Sequence, residues 1–113
     1  MDKTLAVLEL EKAYNTRQNG NEGMARVLAR RAAGLAIRDY LQTVEYTQKN
    51  LSLNALIKDE QVRKVLPVST HAALERLSTR IGMDFQFPVD FDLLMDAQKV
   101  IDQLSIINGE KND

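Results

Sequence analysis

NEGMARVLARRAAGLAIRDYLQTV, from Asn21 to Val44, is the stretch whose reading decides the fold of this chain. It contains no proline, is the segment richest in alanine, and is bounded on its N-terminal side by the polar turn Arg17-Gln18-Asn19-Gly20-Asn21. At about 100° per residue its side chains fall into three sectors. Met24, Leu28 and Leu35 form an apolar arc, continued by Ala25, Ala29, Ala32 and Ala36. Ile37, Tyr40, Leu41 and Val44 open a second apolar arc in the C-terminal half. Arg30, Arg31 and Arg38 share the remaining arc with Gly34, and Arg26 lies at its edge. A helix apolar on two sides is surrounded by neighbours, and alanines let those neighbours approach closely. The pattern predicts a central helix in an all-α, single-domain bundle of about five helices, mostly antiparallel.

The remaining elements follow from periodicity and punctuation. Thr4 to Thr16 reads as a first helix, with Val7, Leu10 and Tyr14 on one stripe, Leu5 and Leu8 widening it, and Asp2 as cap. The turn after it holds Gly20, able to take positive φ, and Asn19 and Glu22 have the spacing of a reciprocal cap for the next helix. Ser52 caps a segment in which Leu53, Leu56 and Ile57 precede Val62, Val65 and Leu66. Lys58-Asp59-Glu60-Gln61 leaves open whether 52–66 is one helix or two, and Pro67 ends it. Ser69 or Thr70 caps a helix carrying Ala73, Leu74, Leu77 and Ile81, stopped by Gly82. Met83 to Val89 alternates like a strand, but a lone strand has no partner; it reads as a connector with Phe85 and Phe87 plugging the core. Asp90 or Asp92 starts a last helix with Leu94, Ala97, Ile101 and Leu104 on one face and Leu93, Val100 and Ile107 alongside. Asn108-Gly109 closes it, leaving 108–113 as a polar tail.

Bulk composition narrows the function classes. The 113 residues suit one domain, and a formal charge of −1 from fifteen basic and sixteen acidic residues provides no global field toward nucleic acid or membrane. Any such binding needs a local basic patch. The chain has no cysteine, which removes disulfides, thiolate metal sites and a Cys nucleophile, and suits a reducing cytosol. Ala32 to Ile37, the apolar or small run near the middle, is far below the roughly 20 residues of a membrane span. The N-terminus lacks a signal-peptide layout, so a cytoplasmic protein is expected.

Chemistry-bearing candidates are few. The four arginines of the central helix repel one another unless compensated, as Arg26 and Arg30 do at i, i+4. One reading pairs them with Glu22, Asp39 and the acids Glu9, Glu11, Asp92 and Asp96 of neighbouring helices. The other makes them a basic strip for the phosphates of a nucleotide or RNA. His71 is the single histidine; without nearby ligands at metal spacing it reads as structural or surface. Asp84, Asp90, Asp92 and Asp96 lack the glycine and glutamate spacing of a calcium loop, and Gly20 and Gly23 make no phosphate loop. No metal and no cofactor is expected.

The order of features resembles a family. The helix Met24-Ala-Arg-Val-Leu-Ala-Arg-Arg-Ala-Ala-Gly-Leu-Ala-Ile, a shorter middle, then an aromatic and proline connector into Asp92-Leu-Leu-Met-Asp-Ala-Gln-Lys-Val-Ile is similar to HEPN domains, from about Asn21 to Leu104. Ribonucleases of that family carry an Arg-x4–6-His motif on a late helix. Here Arg63 precedes His71 by eight positions with Pro67 between them, so the two cannot share one helical face. The resemblance therefore implies a helical fold and a non-catalytic branch, a ligand or partner module beside a nucleotidyltransferase-type chain. Three functions are expected in order. The first is a non-catalytic, homodimeric interaction module, the dimer burying a leftover face of the central helix. The second is nucleotide or RNA binding through Arg26, Arg30, Arg31 and Arg38. The third is RNA cleavage using Arg63 and His71.

Overall fold

The structure, a computed structural model, describes residues 3–46, 50–79 and 92–111, the last six as helical backbone only. It is all-α. Six α-helices appear among the described residues: α1 (Leu5–Gln18), α2 (Glu22–Thr43), α3 (Leu53–Lys58), α4 (Glu60–Val65), α5 (His71–Ser78) and α6 (Leu93–Lys111). A single 3-10 turn, Val68–Thr70, leads into α5. The sixth helix arises because 52–66 divides at Asp59, whose extended backbone (φ −66°, ψ 127°) ends α3 and caps α4 through a bond from the Val62 amide.

Helix α2 is the spine. It packs on α1, α6 and α3, while α1 meets α6, α6 meets α5, and α5 meets α3, so the four neighbours form a partial ring around it. Ala25, Ala29, Ala32 and Ala33 are wholly buried, as expected of residues small enough to let helices close up. Leu10 and Ala13 of α1 and Leu94, Ala97, Val100 and Leu104 of α6 complete the core on that flank. On the other flank α3 comes in at Gly34. A Cβ there would stand 2.7 Å from the Leu53 Cβ and 2.8 Å from the Leu53 carbonyl oxygen, so only glycine permits the contact. Met24, expected in the core arc of α2, is exposed, and so are Leu5 and Leu8 of α1, whose buried stripe is narrower than the apolar sector of its sequence.

Caps differ from expectation at several ends. Thr4 caps α1, accepting from the Val7 amide, while Asp2 lies outside the described residues. The helix ends with Gly20 at φ 89°, the Gly20 amide donating to the Arg17 carbonyl and the Asn21 amide to that of Thr16. Asn21, two positions after the expected Asn19, then caps α2 through the Met24 amide. The far end of α2 closes in the same way, with Glu45 in the left-handed region (φ 56°) and the Tyr46 amide donating to the Leu41 carbonyl. Ser52 caps α3 as expected. Thr70 holds the N-cap position of α5 but makes no side-chain cap bond; its buried hydroxyl donates to the Pro67 carbonyl instead. Asp92 accepts from the Leu94 and Met95 amides at the head of α6. Helix α6 does not close at Asn108-Gly109 but continues to Lys111. Ile81, Gly82, the Met83–Val89 connector with Phe85 and Phe87, and Asp84 and Asp90 lie outside the described residues, as does the side chain of Ile107.

Two ion-pair clasps lock the helix ends. Arg17 donates from Nε and Nη2 to Glu22 (2.9 and 2.8 Å) and from Nη1 and Nη2 to Asp92 (3.2 and 3.0 Å). One guanidinium thus ties the C-terminus of α1 to the N-termini of α2 and α6, each charge complementing its helix dipole. Arg76 of α5 grips the buried Asp96 of α6 at 2.8–3.0 Å. Hydrogen bonds from Arg17 hold the Glu22 carboxyl below its usual range. Burial pushes Asp92 up, but the bonds from Arg17 and from the Met95 and Leu94 amides outweigh it and hold this carboxyl low as well. Among the described residues no helix is long and apolar enough to cross a membrane.

Two outcomes follow from these contacts. Gly34→Ala forces α3 off α2 and should cost about 1–3 kcal/mol, read from the urea midpoint. Glu22 and Asp92 have folded pKa values below their unfolded values of about 4, so their contribution is complete above that pH and is lost as pH falls through the folded values. Urea midpoints across that range should therefore decline with acid, and Arg17→Gln should flatten the decline.

Candidate functional site

The sector of α2 that Gly34 presents to α3 extends in both directions along the helix. At Gly34 itself the first turn of α3 closes it. Toward the N-terminus, over Gly23 to Arg31, it stays open as a cleft of about 460 Å³ between α2, α3 and the end of α5. Ile57 and Leu77 give it an apolar floor, and Asn54 and Ser78 supply an amide and a hydroxyl. Arg26, Arg30 and Arg31 from α2 and Lys58 from α3 bring four cations to its walls, and no carboxylate lines it among the described residues.

Each arginine arrives by a different route. Arg30 donates from Nε to the Leu77 carbonyl (2.8 Å) and from Nη2 to the Thr79 carbonyl (3.2 Å). It thereby satisfies acceptors that the last turn of α5 leaves open. Arg31 donates to Glu9 of α1 at 2.8 Å, yet its side chain remains 54% exposed. Arg26 lies 3.5 Å from Glu22, one turn before it on α2. Lys58 sits in the last turn of α3, where a cation complements the dipole, and is exposed.

Arg38 is not part of the cleft. It occupies the same angular sector as Arg31 but seven residues on, about 10 Å along the axis and past the Gly34–Leu53 contact. The expected acidic partners divide differently from the expectation. Glu9 pairs with Arg31 and Glu22 with Arg26, but Glu11 pairs with Lys3, Asp92 with Arg17, and Asp96 with Arg76. His71 lies at the opposite end of α5 from Leu77, its Nε2 3.1 Å from the Leu66 carbonyl oxygen and placed to donate to it. Arg63 turns elsewhere, donating to the Ile57 carbonyl (2.6 Å) and to Glu75 (2.9 Å), with its buried Nε unpartnered. Arg63 and His71 thus hold separate backbone joints.

Sequence reading missed Lys58 and the Arg17 clasp. Lys58 stood in a stretch read as an interruption. The Arg17 signal was local: an arginine followed five residues later by glutamate across a glycine turn. Comparison of the chain with protein-family models, curated proteins and solved structures finds no match.

The two kinds of arginine should separate by stability. Arg30→Ala leaves two backbone acceptors at the end of α5 without their charged donor and should cost about 1–3 kcal/mol. Arg31→Ala removes an exposed pair and should cost less than about 1 kcal/mol. Urea unfolding of the two variants checks the order.

Proposed function

We propose that this protein is a non-catalytic binding module that takes a phosphate-bearing ligand in the cleft between α2, α3 and α5. The observation that carries the reading is the convergence of Arg26, Arg30, Arg31 and Lys58 on a recess whose described lining holds no carboxylate. Guanidinium forks match phosphate oxygens in pairs, and an ammonium adds a mobile point charge. Asn54 and Ser78 add neutral hydrogen-bonding groups beside the cations. These groups bind and neutralise an anion, which is why the reading stops at binding. The layout likeness to HEPN domains agrees with a nucleotide-type ligand and with a nucleotidyltransferase-type chain as partner.

The homodimer expected from the sequence rested on a leftover apolar face of α2. Most of both flanks of α2 is covered within the chain, by α1 and α6 on one side and by α3 on the other, while Met24 and Val27 near its N-terminus stay exposed. Ligand binding is the leading reading, with the homodimer expected from the sequence kept second.

Calorimetric titration with tripolyphosphate and with ATP at low salt tests it. Binding is expected, weakening as salt rises. Arg31→Ala and Lys58→Ala should each lower affinity about tenfold, or ~1.4 kcal/mol, without shifting the thermal melt. Absence of binding, or binding indifferent to both substitutions, would remove the proposal.

A further inference from the structure

We infer that the cleft is one end of a longer track, and that its occupant is a linear chain of phosphates instead of a single nucleotide. This rests on the anion-binding reading above and extends it. A second cleft of about 400 Å³ opens where α3 hands over to α4, against α5. Its lining shares Lys58 and Ser78 with the first cleft, so the two recesses meet along that pair of side chains. Beyond the junction the second cleft adds Arg63 and Lys64 as cations, with Glu60 and Glu75 as its acids. Glu75 is already engaged by Arg63 at 2.9 Å.

The charge distribution is what points to a chain. Among the described residues, six basic side chains line the two clefts, against two acidic ones. A molecule with almost no net charge has therefore gathered cationic side chains along one groove, with Glu9 and Glu22 engaging Arg31 and Arg26 from outside its lining. The phosphates of a mononucleotide engage the first cleft alone and leave Lys64 without a role. A repeating anion uses both recesses, with Lys58 shared between successive phosphates. Charge recognition of this kind reads phosphates, so inorganic polyphosphate and single-stranded RNA present the same ligand chemistry.

The test uses the full chain and three probes: tripolyphosphate, inorganic polyphosphate of about a dozen units, and single-stranded RNA with about as many phosphates, within the span of known single-strand sites. The long polyphosphate is expected to bind at least tenfold more tightly than tripolyphosphate, and the RNA to follow it. Lys64 is exposed, so Lys64→Ala should spare the fold. It should remove most of that gain, lower the salt slope for RNA by about 0.7, and leave tripolyphosphate unaffected. Equal affinity for short and long polyphosphate would overturn the track. So would a Lys64→Ala variant silent on both long probes, or RNA binding without polyphosphate binding. In those outcomes tripolyphosphate binding that depends on Arg31 still stands for the single cleft. Tripolyphosphate binding that ignores Arg31→Ala, or is missing, takes both readings down together.

Discussion

At Gly34 the backbone of α2 lies directly beneath the first turn of α3, with the Leu53 Cβ and carbonyl oxygen in the space a side chain would need. That contact sets how closely α3 lies against α2 from its first turn onward. Leu56 and Ile57 reach the interior because α3 sits this close, and Lys58 reaches the rim of the cleft for the same reason. Arg30 and Arg31 precede the contact and remain at the wall. Arg38 follows it and does not. A single methyl group at position 34 would disturb core and cleft together.

The acids are placed as pointedly as the bases. Glu9, Glu22, Asp92 and Asp96 sit on α1, α2 and α6 and are engaged in pairs that hold helices to one another. The α3 and α5 walls of the first cleft contribute no carboxylate among the described residues. Helix-end carbonyls fill part of the acceptor role, as the Arg30 bonds to Leu77 and Thr79 illustrate. The Arg30 guanidinium is thus oriented in part by backbone acceptors. Near-neutral overall charge is compatible with four cations lining one cleft because acids such as Glu9, Glu22, Asp92 and Asp96 sit outside its lining.

Local rules carried the reading of the elements. The alanine-rich stretch from Asn21 to Val44 is α2 to within a residue at either end, because its caps and its 3.6-residue period are properties of the stretch itself. The burial of Leu94, Ala97, Ile101 and Leu104 was legible for the same reason. Properties that belong to pairs of elements were not. Gly34 looked like a helix interior glycine, and its role depends on Leu53, nineteen positions away. Asp92 was recognisable as the start of α6, but nothing local linked it to Arg17. Three of the four arginines proposed for the site do line the cleft. The fourth does not, because angular position on a wheel says nothing about where along the axis a neighbour begins.

Asp59 is the C-terminal boundary of α3 and the N-cap of α4, one residue in extended conformation between two six-residue helices. Helices so short are not stable alone, so each depends on its packing and on this shared terminus. Lys58 stands immediately before the joint and Lys64 on the far side of it. The dihedral angles of a single aspartate therefore set the bend between the two basic recesses. A carboxylate whose oxygen holds the Val62 amide acts here as the elbow between α3 and α4, and the line joining the two recesses is as straight or as curved as that one cap allows.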